Sequence, residues 1–82
     1  MYKIKFDTID QVKSFVKEVE SLGSDAIIRT INRKYAVDAK SLMGIFSLDL
    51  SNHLLLDVYD DNNDFVEMLN KLDITNEKVE EV

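Results

Sequence analysis

The 82-residue sequence contains no cysteine. Disulfide bonds, thiolate nucleophiles and metal sites with sulfur ligands are therefore excluded, and cysteine usage gives no indication of the redox compartment. Stability must come from the packing of apolar side chains, which make up 45% of the chain. A chain of this length can bury one hydrophobic core and is too short for two, so we predict a single domain over residues 1–82.

Long apolar segments are also missing from the sequence. The longest nearly apolar stretches are short, such as the three leucines at 54–56. The N-terminus begins MYKIK and has no long apolar region of the kind found in a signal peptide. We therefore expect a cytoplasmic protein without membrane insertion.

Basic residues are fewer than acidic residues. Sixteen acidic residues against ten basic residues give a formal net charge of −6. Affinity for nucleic acid comes chiefly from Lys and Arg side chains that neutralise phosphates, so this balance disfavours nucleic-acid binding. Binding to anionic membrane surfaces is disfavoured for the same reason.

Alternation of apolar and polar residues predicts four strands, because a strand with one buried face has a period of two. These strands cover residues 2–6, 26–31, 35–39 and 54–59. The turn residues 32–34 join the second strand to the third and predict a β-hairpin. The run of Asp and Asn at 60–64 predicts a turn that leads into a helix.

Apolar residues at helical spacing predict three helices. The first carries a stripe formed by Ile9, Val12, Phe15, Val16, Val19 and Leu22. Thr8 and Gln11 fit a capping box at its start, and Gly23 suits the left-handed position after its end. Ser41 can cap a short second helix in which Gly44 costs about 1 kcal/mol relative to Ala. The stripe of the third helix is formed by Phe65, Met68, Leu69 and Leu72.

The predicted element order is βαββαβα. Its hairpins and short links favour the α+β class, with a mainly antiparallel sheet and the helices on one face. Residues 74–82 form an acidic tail of mostly charged and polar residues. We expect this tail to fray or to extend the last helix.

The segment at residues 39–48, AKSLMGIFSL, resembles the regulatory-serine segment of HPr, the phosphocarrier family of the bacterial sugar phosphotransferase system. Residues 15–18, FVKE, are similar to the first helix of that family. The predicted element order also follows the HPr order from about Tyr2 to about Leu72. The resemblance implies an open-faced β-sandwich with a four-stranded antiparallel sheet and three helices on one face.

HPr carries phosphate on a histidine just before the first helix, which takes the phosphoryl group from enzyme I, while a neighbouring arginine holds that group. Imidazole suits this role because it is nucleophilic near neutral pH. Here Thr8 stands at the histidine position and Asp10 at the arginine position, where its carboxylate would repel the phosphoryl group. His53 is the only histidine of the chain. We therefore predict no phosphotransfer on histidine and no catalytic residue.

Ser41 matches the regulatory serine of the family, which HPr kinase phosphorylates in many Gram-positive bacteria. A phosphate there would complement the helix dipole, with Lys40 adjacent. The alternative is that Ser41 only caps the helix, a role worth about 1 kcal/mol. The resemblance further implies a partner-binding surface formed by Lys40, Leu42, Met43, Phe46 and Ser47. Helical spacing also allows the apolar side chains to point into the core, with Met43 and Ser47 exposed.

Other polar groups are interpreted as structural. Thr8 is interpreted as a helix cap, although its hydroxyl lies where a phosphate would be favoured. His53 precedes a strand and has no second histidine or cysteine with which to cooperate, so it is interpreted as a solvated turn residue. The acidic cluster Asp57, Asp60, Asp61 and Asp64 lacks the glycine and terminal glutamate of a calcium loop. We predict no metal site and no cofactor.

Three functions remain open. The first is a non-enzymatic HPr-like protein that binds protein partners, such as HPr kinase, a transcriptional regulator or phosphotransferase components, under control of Ser41 phosphorylation. The second is a phosphocarrier with a non-histidine acceptor at Thr8 or Asp10, which is disfavoured because hydroxyl esters are poor high-potential carriers. The third is a structural interaction domain without any connection to the phosphotransferase system.

Overall fold

The computed structural model describes residues 1–59 and 63–79. In this part of the chain the elements are β1 (Tyr2–Lys5), α1 (Ile9–Leu22), β2 (Ala26–Thr30), β3 (Ala36–Asp38), α2 (Leu42–Phe46), β4 (Leu54–Val58), α3 (Asn63–Lys71) and β5 (Thr75–Lys78). The first seven elements confirm the predicted order βαββαβα. The fold class is α+β, as predicted.

The strands form one antiparallel sheet in the order β3-β2-β4-β1-β5. Strand β4 lies at its centre, and its Leu56 is the Cα partner of both Tyr2 in β1 and Ile28 in β2. These three side chains lie on the same face of the sheet and are buried. The apolar positions of the period-two pattern therefore form the inner face of this sheet.

The prediction of four strands was one strand short. Residues Thr75–Lys78 of the predicted tail neither fray nor extend α3 but form β5, which pairs with β1 from Tyr2↔Lys78 to Lys5↔Thr75. Asp73, with a φ of 56°, turns the chain out of α3, and the buried Ile74 anchors the turn. The sequence of β5 reads TNEK and lacks apolar alternation, so the strand is held by its backbone pairing to β1. Residues 80–82 lie outside the described part.

One hydrophobic core lies between the helices and the inner face of the sheet. The helices contribute Val12, Phe15, Val16 and Val19 from α1, Ile45 from α2, and Phe65, Met68 and Leu69 from α3. The rings of Phe6 and Phe15 meet edge to face, with their centroids 5.3 Å apart. None of the helices in the described ranges is long and apolar enough to cross a membrane.

Candidate functional site: two helix N-termini and the groove between them

The N-terminus of α1 carries Thr8, the residue at the expected histidine position. Its Oγ1 accepts a hydrogen bond from the N–H of Gln11 at 3.1 Å, while the Gln11 Oε1 accepts from the N–H of Thr8 at 3.3 Å and from that of Asp7 at 2.6 Å. The first two bonds confirm the predicted capping box. Three backbone N–H groups that could otherwise meet an anion are thus bonded within the protein.

The side-chain amide of Gln11 also joins this end of α1 to the end of α3. Its Nε2 donates to the carbonyl oxygen of Asp73 at 3.1 Å and to that of Leu72 at 3.4 Å. Asp10 lies in the first turn of α1, where a carboxylate complements the helix dipole. The charges and hydrogen bonds around Thr8 therefore suit a structural cap more than an acceptor of phosphate.

Ser41 caps α2, as predicted, and it does so with one bond. Its Oγ accepts from the N–H of Gly44 at 3.2 Å, and the residue is exposed. A Cβ added at Gly44 would lie 2.8 Å from this Oγ and 3.2 Å from the Cβ of Val37. Glycine stands in the helix because only a residue without a side chain allows the cap and β3 to approach so closely.

Lys40 is fixed by the loop that follows α1. Its Nζ donates to Oδ1 of Asp25 at 3.0 Å, and this hydrogen bond, together with the charge of Asp25, raises the pKa of Lys40. Its backbone N–H donates to Oδ1 of Asp38 at 2.8 Å. A phosphate on Ser41 would therefore compete with the carboxylate of Asp25 for the ammonium group beside it.

The apolar residues predicted to bind partners are divided between core and surface. Leu42 and Phe46 are half-buried and pack against the core, whereas Met43 is 78% exposed. Ser47 is exposed, and its hydroxyl donates to the carbonyl oxygen of Gly44. The helix thus presents Met43 to solvent, as its spacing allowed, and keeps its other large apolar side chains partly or fully packed.

A groove of about 300 Å³ runs between α1 and α2. Val16 and Leu42 form its apolar part, and Lys13, Ser14, Lys17 and Glu20 complete its lining. Neither lysine forms a salt bridge with a residue in the described part of the chain. Ile9, which is 61% exposed, lies on the same face of α1 as Val16 because the two are seven residues apart.

We call the area formed by Ile9, Lys13, Val16, Lys17, Leu42 and Met43 the α1–α2 surface. The residue-level predictions included Leu42 and Met43 and missed the contribution of α1. The signal was present in the sequence, because Lys13 and Lys17 are four residues apart and share a helix face with the apolar Ile9 and Val16. No pattern in the sequence predicted the salt bridge between Lys40 and Asp25.

The remaining predicted groups lie elsewhere. His53 is exposed and lines a different groove, beside the β2–β3 hairpin. Asp57 is half-buried, with an oxygen 3.7 Å from Nε of Arg29. Asp64 lies in the first turn of α3, and Asp60 and Asp61 are outside the described residues. Within the described ranges, no three His, Asp or Glu side chains are grouped so that they could hold a metal ion.

No protein-family model matches this chain, and neither a curated protein nor a solved structure matches it significantly.

Proposed function

We propose that this chain is an HPr-like protein that carries no phosphate on histidine and acts by binding other proteins through the α1–α2 surface. The observation that carries the proposal is the exposure of Met43, a large apolar side chain that is 78% exposed and follows Leu42, one of the two apolar residues that line the groove between α1 and α2. Methionine is enriched in protein interfaces because its flexible side chain adapts to a partner. The similarity of residues 39–48 to the HPr regulatory segment supports the same assignment.

The structure of the α1 N-terminus supports the non-carrier part of this proposal. Thr8 and Gln11 are joined by two reciprocal hydrogen bonds, and the Gln11 side chain also donates to the carbonyl oxygen of Asp73, just after the end of α3. Moving the Thr8 hydroxyl into reaction with a phosphate donor would break the capping box. The carboxylate of Asp10 in the same turn would oppose the approach of a phosphoryl group.

The charges on the α1–α2 surface indicate the chemistry of the partner. Lys13 and Lys17 line the groove together with a single carboxylate, Glu20, and form no ion pair with a described residue, in a chain whose net charge is −6. Opposite charge across an interface steers encounter and sets orientation. The partner surface that fits is therefore acidic at its rim and apolar at its centre.

Phosphorylation of Ser41 would regulate this contact. A phosphoserine adds a charge of about −1.5 to −2 next to Met43. That charge would repel an acidic partner and would pull the ammonium of Lys40 away from Asp25, to which it is bonded at 3.0 Å. The proposed effect of phosphorylation is weaker binding to acidic partners of the α1–α2 surface.

Titration with HPr kinase, followed in backbone amide NMR spectra, tests the proposed surface. We expect shifts concentrated in residues 9–20 and 41–47, and an affinity lowered about fivefold or more in Met43→Ser, the size expected for a residue at the centre of an interface. Tyr59→Ser is the matched control, because Tyr59 is also a large exposed side chain, at 72%. Shifts that avoid both helices, or equal losses in the two variants, would overturn the proposal.

A further inference from the structure

A second, larger groove of about 1000 Å³ lies at the end of the sheet where the β2–β3 hairpin turns. Thr30 in β2 is the Cα partner of Leu54 in β4, and its N–H donates to the carbonyl oxygen of Tyr35 at 3.0 Å. This register brings hairpin residues 30–37 and residues 47–54 after α2 to the same end of the sheet. With five residues, α2 is only about 7.5 Å long, and Ser47 and Leu48 after its end line the groove.

The hairpin wall of this groove is held in shape by the side chain of Asn32. Its Oδ1 accepts from Oγ1 of Thr30 at 2.7 Å and from the N–H of Lys34 at 3.0 Å. The N–H of Arg33, a residue with a φ of 62°, donates to the carbonyl oxygen of Thr30 at 2.8 Å. These bonds fix the tight turn, so the wall exists without a ligand.

The opposite wall is held by Asp49. Its Oδ1 accepts from the N–H of Ser51 at 3.1 Å, and its Oδ2 accepts from Nδ2 of Asn52 at 2.9 Å. A hydrogen bond from the Ser51 hydroxyl, followed by these bonds from the Ser51 N–H and from Asn52, lowers the pKa of Asp49. The carboxylate is therefore ionised at neutral pH, but both of its oxygens are already engaged by donors of its own loop.

The lining combines an apolar floor with cationic and hydrogen-bonding groups at the rim. Leu48 and Leu54 contribute to the floor, and the ring of Tyr35 is 65% exposed beside it. Lys34 lines the same groove and forms no salt bridge within the described ranges, while His53 supplies an exposed imidazole. Small-molecule sites typically have this composition, mostly apolar with few polar groups that fix orientation.

We propose that this groove binds a small amphipathic anion, a molecule with an aromatic or aliphatic body and a single carboxylate or sulfonate group. The apolar body would lie against the partly exposed Leu48 and the Tyr35 ring, and the anionic group would meet the ammonium of Lys34, with the His53 imidazole as a second donor. The Lys34 ammonium favours the anionic group at the hairpin wall, whereas the Asp49 carboxylate lies in the opposite wall and is held by donors of its own loop. In a chain of net charge −6, an anion is repelled from most of the surface and is attracted where a lysine has no carboxylate partner.

The site is distinct from the α1–α2 surface, since the two grooves share no lining residue. A ligand here would leave Met43 and the lysines of α1 free to bind a protein. This inference therefore does not depend on the proposed function, and each can fail without the other.

Anilinonaphthalene sulfonate, which joins an aromatic body to one sulfonate, is a suitable probe. We expect saturable fluorescence enhancement and amide NMR shifts confined to residues 30–37 and 47–54. Lys34→Gln should weaken binding about two- to fivefold, the size of one exposed charge pair. Lys13→Gln, which makes the same charge change on α1, should leave it unaltered, and phenylnaphthylamine, which has no sulfonate, should bind the wild-type protein more weakly.

Three results would overturn the proposal. These are the absence of saturation, shifts centred on α1 and α2, or equal effects of the Lys34 and Lys13 variants. Tyr35→Ala is a second variant that removes exposed ring area and leaves the backbone bond from Thr30 to Tyr35 in place. It should also weaken the probe, and unchanged binding in this variant would count against the assigned floor.

Discussion

The two helix N-termini in this protein use the same cap chemistry in different surroundings. At α1, a helix of 14 residues, the Thr8 cap is completed by Gln11, which also bonds to the end of α3. At α2, a helix of five residues, Ser41 makes one bond to Gly44 and stands next to the exposed Met43. Thr8 and Ser41 are both exposed, but the first end is bonded through Gln11 to residues 72 and 73, whereas the side chain of Ser41 bonds only within its own helix.

This difference teaches that a hydroxyl at a helix N-terminus does not by itself identify a phosphate site. What matters is whether the hydroxyl and the amide groups around it are already bonded across the structure. Around Thr8 they are bonded to Gln11, whose side chain is in turn bonded to the carbonyls of Leu72 and Asp73, so reaction there would disturb the fold. At Ser41 a modification would disturb one local bond and would change the charge of an open surface.

Gln11→Ala is expected to give the largest loss of stability. It removes the acceptor for the N–H groups of Asp7 and Thr8 and the donor to the carbonyls of Leu72 and Asp73. We expect the free energy of unfolding to fall by about 2 kcal/mol, since each partly exposed hydrogen bond contributes about 1 kcal/mol or less. Urea unfolding measures this free energy. A loss no larger than that of Ser41→Ala would show that the N-terminus of α1 is no more strongly bonded into the fold than that of α2.

Gly44→Ala is expected to destabilise the protein by about 1 kcal/mol, although alanine is the better helix former by about that amount. The added Cβ would lie 2.8 Å from Oγ of Ser41 and would displace the cap. The same substitution in a Ser41→Ala background should cost less, because the nearest clashing atom is gone. Equal costs in the two backgrounds, measured as a double-mutant cycle, would disprove this explanation of Gly44.

Ser41→Ala alone is expected to lower the free energy of unfolding by about 0.5 kcal/mol, at the lower end of the range for N-caps. The reason is that α2 is short and exposed at this end and loses one bond of 3.2 Å. Thr8→Ala should cost about twice as much, because its cap belongs to a two-way box. Chemical denaturation measures both losses. A larger loss in Ser41→Ala than in Thr8→Ala would show that the cap of α2 contributes more to stability than the cap of α1.

The smallest effect is expected in the ionisation of Lys40. Its hydrogen bond to Asp25 raises its pKa above the usual 10.5. A raised pKa means that the stabilisation from the pair is fully present below about pH 10.5 and is lost as pH rises through the higher value in the folded state. In a side-chain NMR titration, Asp25→Asn should return the pKa of Lys40 towards 10.5. Asp38→Asn should lower the pKa of Lys40 less, because Asp38 acts on the ammonium through charge alone. An unchanged pKa of Lys40 in Asp25→Asn would exclude the hydrogen bond between Lys40 and Asp25.

Local signals predicted most of the fold. The capping box at Thr8, the left-handed Gly23 and the Ser41 cap are all contained in short stretches of sequence, and the structure confirms each of them. Strand β5 could not be predicted in this way, because its polar residues form a strand only through pairing with β1, at least 70 residues away in sequence. Tertiary pairing overrides a weak local preference there.

The candidate site was only partly predictable. Ser41 and Met43 were identified from a resemblance in one segment, but their neighbours come from other parts of the chain. The bond from Lys40 to Asp25 and the closeness of Gly44 to Val37 depend on how the loop after α1 and strand β3 are placed against α2. Such contacts follow from packing, which periodicity in the sequence does not specify.

Intact-mass measurement tests the central claim most directly. The protein would be incubated with enzyme I and phosphoenolpyruvate, and separately with HPr kinase and ATP. We expect no mass gain from enzyme I, and a gain of a single phosphoryl group from the kinase that disappears in Ser41→Ala. A phosphoryl group taken from enzyme I and lost in Thr8→Val would contradict the account, because it would show that the capped end of α1 accepts phosphate.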